Sequence, residues 1–496
     1  MSLHWPILRT LAAHPGRTII HDDRGKYRSI EILVGALHVA AAIAPRCRTD
    51  TVGLLLPTSA AFPVAALAGW ILGKVVVPLN YLLKPDELQF VIDDCGTDTV
   101  LSVKPMLEHL GAAPRVDTLL MMEDIPLKGI PALRWPASAK DDDLAVLLYT
   151  SGTSGKPKGV MLTHGNISAN IRQCVQWVRF TKRDTLLGVL PQFHSFGLTV
   201  LTLLPLTIGA RAVYTARFVP GKIVRLFREH RPTVFIGIPS MYGALLTVKN
   251  ASPDDFVSLK FAVSGGEPLP DDVAERFRER FGITISEGYG LTETSPVTNW
   301  CRPHEYRAHS VGPALPRIET RIVCLESERD LGPDEEGEIR FRGPNIMKGY
   351  FNRPDETAAA FDERGYFRTG DIGKLDKDGF LSITGRLKEM LIIGGENVFP
   401  REIEEALNHH PSVHASAVLG MTDPVRGEVP VAFVELEEGA DFDEGQLKAW
   451  CRDALAGYKV PRQIRRVDQL PRNPTGKIMR RELKPLIESD AAGKNA

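Results

Sequence analysis

The chain has 496 residues, 43% hydrophobic and 24% charged, with 60 basic against 61 acidic side chains for a formal net charge of −1. That length exceeds one ordinary core and allows two to four folding units of roughly 100–200 residues each. The composition excludes long disorder, and the balanced charge excludes a global field for nucleic acid or an anionic membrane, so any phosphate chemistry must be local.

Six cysteines (Cys47, Cys95, Cys174, Cys301, Cys324 and Cys451) are scattered with no C-x-x-C pair. This fits neither a zinc cage nor a disulfide framework, and reads as free thiols in a reducing, cytoplasmic compartment. The first residues lack a basic region followed by a sustained apolar stretch, so no secretory signal is expected. The most apolar region, Ala60 to Val77, is interrupted by Pro63, Gly69, Gly73 and Lys74. A spanning helix wants about 20 apolar residues, so this region predicts a buried helix leading into a buried strand and no transmembrane segment.

In chain order, strand-length apolar runs at Thr51–Pro57, Lys74–Leu79 and Leu144–Thr150 alternate with helix-length stretches. The alternation predicts an α/β fold in which a large N-terminal domain of several subdomains carries mixed or parallel sheets. Pro105–Asp143, rich in Pro, Ala and charge, reads as a surface crossing between subdomains. Near Gly385 the texture changes. REIEEALNHH puts Ile403, Ala406 and Leu407 on one face of a helix, two apolar runs follow (HASAVLGM and VPVAFVELE), then the helical stretch GQLKAWCRDALAG. These predict a small, mobile α+β C-terminal domain over residues 388–496, after an N-terminal domain over 1–387, with a tail that frays after Ile487.

The run Leu144–Thr150 reads as a buried strand leading directly into SGTSGKPKGV. Gly152, Gly155 and Gly159 permit close backbone approach, Thr150, Ser151, Thr153 and Ser154 supply hydroxyls, and Lys156 and Lys158 supply charge. Such a loop can wrap polyphosphate oxygens with N–H groups and side-chain donors. It is not a Walker A loop, because G-x-x-x-x-G-K-[ST] cannot be placed on it. Alone, a Gly/Ser/Lys cluster is more often a flexible surface loop.

The whole string YTSGTSGKPKGVMLTHGN closely resembles the signature loop of the acyl-adenylate-forming superfamily, which includes acyl-CoA synthetases, firefly luciferase and peptide-synthetase adenylation domains. Further strings follow in that family's order: FHSFG from residue 193, SGGEPLP from 264, EGYGLTET from 287, GYFRTGD from 365, GRLKE from 385, GGENVFP from 394 and PRNPTGK from 471. Ser154 stands where threonine is usual and keeps the hydroxyl.

The resemblance implies roles for residues that, singly, would be ordinary turn or surface positions. Tyr289 lines the adenine pocket together with Gly265, Gly266 and Glu267. Thr292 meets the α-phosphate and Glu293 binds Mg²⁺. Asp371 accepts the ribose hydroxyls and Arg386 contacts the nucleotide, pairings that suit a carboxylate on a diol and a guanidinium on an oxyanion. Lys477 bridges the carboxylate and α-phosphate during adenylation. His194 lies at the aromatic gate near the substrate carboxylate, where amino-acid-activating relatives carry an aspartate for the substrate ammonium. Lys388 is the hinge about which the small domain turns, Gly395 and Glu396 flank the pantetheine passage, and Lys459 meets CoA phosphate.

The implied chemistry is activation of a carboxylic acid by ATP to acyl-AMP, followed by transfer to the thiol of CoA. FHSFGL, FIGIPSMYG and GYGLTETSPV contain no arginine or lysine. A second carboxylate would want a cationic partner, so an apolar monocarboxylic acid is expected, with the general look nearest to medium- and long-chain fatty-acid–CoA ligases. An aryl acid, a carrier-protein phosphopantetheine as acceptor, and a non-catalytic nucleotide-binding protein are the alternatives. The intact lysine, glutamate and loop argue against the last.

Overall fold

A computed structural model of the chain describes residues 2–151, 157–394, 396–423, 426–472 and 478–493. Among these residues the strands form four sheets. One has the spatial order Gly349–Tyr350, Pro157–Thr163, Leu144–Ser151, Val75–Pro78, Thr51–Leu55, Thr99–Ser102 and Thr118–Met121. The last five strands of this order are parallel, and an antiparallel hairpin joins 144–151 to 157–163. A second sheet has six parallel strands at its centre and an antiparallel partner at each edge, Val297–Trp300 and Gly25–Arg28. Parallel strands need helical crossovers, which cover both faces and make the strands apolar throughout.

The region Ala60–Val77 illustrates the rule. Ala61–Ile71 is a helix with every residue from Phe62 to Ile71 buried, and Val75–Pro78 is a parallel strand. The Trp70 indole N–H, buried with it, donates to the Ala145 carbonyl at 2.9 Å and ties the helix to the strand that leads into the glycine-rich loop. No helix among the described residues is long and apolar enough to cross a membrane.

Pro105–Asp143 is not a crossing between subdomains: it contains the end of a helix (Lys104–Leu110) and the edge strand Thr118–Met121, then returns over the same sheet to Leu144. All four residues of Thr118–Met121 are partly buried, so no in–out alternation marked that strand. The helix Arg480–Gly493 continues past Ile487, with Leu483 and Ile487 in a small core with Ala417, Val431 and Phe433.

A third, antiparallel sheet of Glu319–Val323, Gly337–Arg342, Phe367–Leu375 and Leu381–Arg386 precedes the fourth. The fourth pairs Glu396–Val398, Leu391–Ile393, Gly427–Leu436 and Val413–Asp423 antiparallel, with Gln463–Arg466 added parallel to Gly427–Leu436. The helices Pro400–Asn408 and Glu444–Ala454 pack on it. The large core runs from Leu3 to Leu381, whereas the cores of the fourth sheet begin at Leu391. The two parts touch through polar contacts: His409 Nε2 lies 3.0 Å from Asp271 Oδ2, and Arg401 donates to the Ile383 carbonyl.

Gly312 joins the second and third sheets, its carbonyl accepting from Asn299 at 2.9 Å and from the Leu381 N–H at 3.2 Å. Its φ is +82° and an added Cβ would lie 2.5 Å from the Cys301 backbone. Gly312→Ala should therefore destabilise the large domain by more than about 2 kcal/mol, through the strained conformation and the overlap together. Chemical unfolding checks this, and a midpoint like that of the parent would contradict it.

Candidate active site

The strand Ile285–Gly290 ends the parallel part of the second sheet, where loops leaving strand ends form a crevice. Its last residues carry Tyr289 into contact with the third sheet. The Tyr289 hydroxyl donates a short hydrogen bond to Asp371 Oδ2, and Arg386 Nε lies 2.7 Å from Asp371 Oδ1. Asp371 and Arg386 are register partners on adjacent antiparallel strands, which places both side chains on one face. Asp371 is only 2% exposed, and the Asp371 N–H donates to Thr369 Oγ1 at 3.0 Å. Burial, reinforced by the Asp371 charge, holds the Tyr289 phenol well above its ordinary pKa, so it stays a donor.

Thr292 and Glu293 follow on a one-turn 3₁₀ helix, Thr292–Thr294. The chain doubles back so tightly here that a Cβ on Gly290 would fall 1.9 Å from the Pro296 carbonyl oxygen. The Asn345 amide donates to the Thr294 carbonyl at 2.8 Å, and the Met347 N–H donates to the Glu293 carbonyl at 2.8 Å. The turn is thus clamped by the segment that follows the third sheet's second strand. Burial pushes the Glu293 carboxyl above the usual carboxylate range, opposed by the Tyr350 hydroxyl, which donates to Oε1 at 3.0 Å.

Lys158, on the strand after the glycine-rich loop, forms a close ion pair with Glu356 and lies 5.5 Å from the centroid of the Tyr350 ring. Thr150 is its register partner across the hairpin. Lys158, Tyr350 and Glu293 therefore form one connected group, and Tyr350 and Glu356 are candidate site residues that the sequence reading missed. Both stand in GYFNRPDE, a string whose tyrosine and acids follow a glycine, but nothing in linear spacing pairs them with residues so far upstream.

Gly265 ends the strand Phe261–Ser264, and a Cβ there would lie 3.0 Å from the Phe196 ring and 3.2 Å from the Gly288 carbonyl oxygen. Gly266 is left-handed, with the Ile238 side chain 3.8 Å from the corresponding Cβ position. Glu267 is partly exposed. FHSFG meets the 292 turn through Ser195, whose hydroxyl lies 3.4 Å from Thr292 Oγ1. His194 starts the short helix Ser195–Leu198 and is exposed, so the buried residues of that motif are its neighbours Phe193 and Ser195.

In the C-terminal part, Lys388 is exposed in the turn Leu387–Glu389 between the large core and the fourth sheet. Glu396 is exposed and lines an open cleft of about 320 Å³ with Ile393, Gly394, Arg426, Gly457 and Tyr458. Lys459 is paired with Glu402, at 2.7 and 2.6 Å to its two oxygens. Arg480, another residue missed from sequence, pairs with Glu404 at 2.7 Å and Glu389 at 3.3 Å and is close enough to Glu267 to feel its charge. Gly152, Thr153, Ser154, Gly155, Lys156, Gly395 and Lys477 lie outside the described residues, as does the Ser151 side chain.

Arg386→Ala removes one of the two side-chain partners that hold the buried Asp371 carboxylate. The loss should be about 1–3 kcal/mol, because an under-compensated buried charge remains. Adding Asp371→Asn should recover part of that loss. Urea unfolding of the single and double variants checks this, and strictly additive losses would contradict it.

The AMP-binding enzyme family matches residues 8–351, and the AMP-binding enzyme C-terminal domain matches residues 402–477. The chain is 32% identical to a long-chain-fatty-acid–CoA ligase of Bacillus subtilis, over 95% of this chain and 92% of that protein. It is 34% identical to a feruloyl-CoA synthase of an Amycolatopsis species, over 97% and 98%. The ATP-bound structure of MatB from Rhodopseudomonas palustris superposes with a TM-score of 0.89 at 31% identity, covering 98% of this chain and 99% of that one. The chain belongs to the AMP-binding enzyme family and is an AMP-forming acid–CoA ligase.

Proposed function

We propose that the chain activates an apolar monocarboxylic acid, of the medium- or long-chain fatty type, and that the group around Asp371 and Glu293 is its nucleotide site. The observation that carries this reading is the Tyr289–Asp371–Arg386 cluster, a buried carboxylate between a fixed donor and a fixed cation. Asp371 offers acceptor lone pairs to a ribose diol, and Arg386 offers N–H donors to a phosphate oxygen. The wall at Gly265 and Gly266 supports an apolar acid, because Phe196 and Ile238 meet those positions. The feruloyl-CoA synthase likeness supports an aryl acid as the second reading.

In the first step a carboxylate oxygen attacks the α-phosphorus of ATP and pyrophosphate leaves. Thr292, beside Ser195, would donate to a phosphate oxygen, and Lys158, once released from Glu356, would neutralise phosphate charge. In the second step the CoA sulfur attacks the acyl carbon, AMP leaves with the electron pair, and the thiol proton goes to solvent or base. Exposed Lys388 between two separate cores suits a hinge at the 387/388 boundary, and the cleft beside Glu396 suits a thiol arm. Lys459 would meet CoA phosphate after leaving Glu402. We place the enzyme in the cytoplasm on its free, mostly buried cysteines.

A hard cation fits this donor set. Among the described residues no group of three or more metal-ligating side chains exists, but Glu293 with the adjacent Thr292 hydroxyl supplies oxygen donors, and ATP would supply the rest. Bound there, Mg²⁺ would neutralise polyphosphate charge. Because burial raises the Glu293 pKa, acidification protonates it before an ordinary glutamate at about 4.3. A raised folded-state value also means that the neutral form favours folding and that this contribution is lost as pH rises through it. Glu293→Gln should therefore be at least as stable as the parent at pH 7 without metal. It should also lose the pH-dependent fall in Mg²⁺ binding. A marked destabilisation in metal-free buffer, or an unchanged pH profile, would contradict the role.

The acid is tested by a panel of fatty, aryl and short carboxylates with ATP, Mg²⁺ and CoA, following AMP and thioester. The fatty acids should give the highest kcat/KM. Preference for aryl acids selects the second reading, and turnover only with a holo-carrier protein would displace CoA. Lys477→Ala should slow adenylation about 10²- to 10³-fold while leaving thioester formation from supplied acyl-AMP intact. Undiminished adenylation would refute that assignment.

A further inference from the structure

We propose that residues 127–135 are a docking surface for a lipid bilayer carrying anionic headgroups. Ile130, Leu133 and Trp135 are 92%, 86% and 84% exposed, the three highest values for any large hydrophobic side chain among the described residues, and Leu127 adds 50%. Large apolar side chains this exposed, concentrated in one short segment, mark an interaction surface.

The segment is fixed to the domain while its apolar side chains face outward. Ile125 is buried at its start. The Ala137 N–H donates to the Ile71 carbonyl at 2.9 Å, and the Ala137 carbonyl lies 3.0 Å from His4 Nε2. In the middle, His38 Nε2 lies 3.3 Å from the Gly129 carbonyl. The Trp135 ring leans on Trp5 at 5.6 Å, and the Arg9 guanidinium sits 6.0 Å from the Trp5 ring. A strap stapled at these points cannot turn its apolar side chains inward.

Charge selects the occupant. Lys128 and Arg134 lie in the strap, Lys140 follows it and Arg9 is near its Trp5 contact, and no acid occurs between Asp124 and Asp141. Of the flanking acids, Glu123 accepts from the Lys104 N–H at 3.1 Å, Asp142 pairs with Lys348 at 3.1 Å and Asp143 accepts from the Lys140 N–H at 2.7 Å, while Asp124 and Asp141 are exposed at the two ends of the acid-free stretch. Leucine, isoleucine and tryptophan interleaved with cations suit the boundary between acyl chains and anionic headgroups, where the long basic side chains reach the phosphates. A second copy is disfavoured, because a two-fold contact through this strap would bring two patches of the same basic sign together. The formal net charge of −1 leaves the attraction to this local patch. The inference does not depend on which acid is activated.

The test is co-sedimentation of the full chain with phosphatidylcholine vesicles and with vesicles containing phosphatidylglycerol. The anionic vesicles should bind at least tenfold more strongly, with the difference shrinking at high salt. Leu133→Ser/Trp135→Ser should lower partitioning about tenfold on both kinds of vesicle. Lys128→Glu/Arg134→Glu should erase the preference for anionic lipid. Both variants should keep parent activity on a water-soluble short-chain acid, which shows that they fold. Equal, weak sedimentation of the parent with both vesicles would overturn the proposal. So would a vesicle-free dimer that the Leu133/Trp135 variant dissolves.

Discussion

A carboxylate as enclosed as Asp371 needs opposing groups held against it in place of water. Tyr289 and Arg386 supply them from two different sheets. The cost of desolvating the charge is offset by a hydroxyl that burial keeps protonated and by a guanidinium fixed by strand register. This one arrangement locks the end of the parallel second sheet to the antiparallel third sheet. The 292 turn, clamped by Asn345 and Met347, inherits its position from that junction.

Among the described residues, two further basic side chains of the candidate site are paired but not locked. Lys158 with Glu356 and Lys459 with Glu402 are ion pairs with partly exposed partners, the class of contact whose net stabilisation is small. Such pairs can exchange a carboxylate for a phosphate at little cost. The structure thus separates a rigid cluster around Asp371 from basic side chains that can change partner. The polar contacts between the large domain and the fourth sheet, His409 with Asp271 and Arg401 with the Ile383 carbonyl, have the same exchangeable character.

Much of the fold and site was legible because the signals were local. The run Ala60–Val77 showed a buried helix and strand through its interruptions, and REIEEALNHH showed its face through helical spacing. Tyr289, Asp371 and Arg386 were legible through the motifs around them. Tyr350, Glu356, Ser195 and Arg480 were not, because each is defined by a partner distant in sequence, and a lone tyrosine or arginine has no local signature. Thr118–Met121 was missed for a different reason. It is an edge strand, half-buried on both faces, inside a stretch whose prolines and charges dominate its texture.

If the Asp371 cluster is the ribose receptor of an adenylating enzyme, the first half-reaction must run without thiol and must depend on the ribose diol. Acid-dependent exchange of pyrophosphate into ATP, measured with no CoA present and compared with exchange into 2′,3′-dideoxy-ATP, tests both requirements at once. The account predicts exchange with ATP and at least a tenfold lower rate with the dideoxy nucleotide, a gap that Asp371→Asn should narrow. Exchange that needs CoA, or that is equal for the two nucleotides in the parent enzyme, would contradict it.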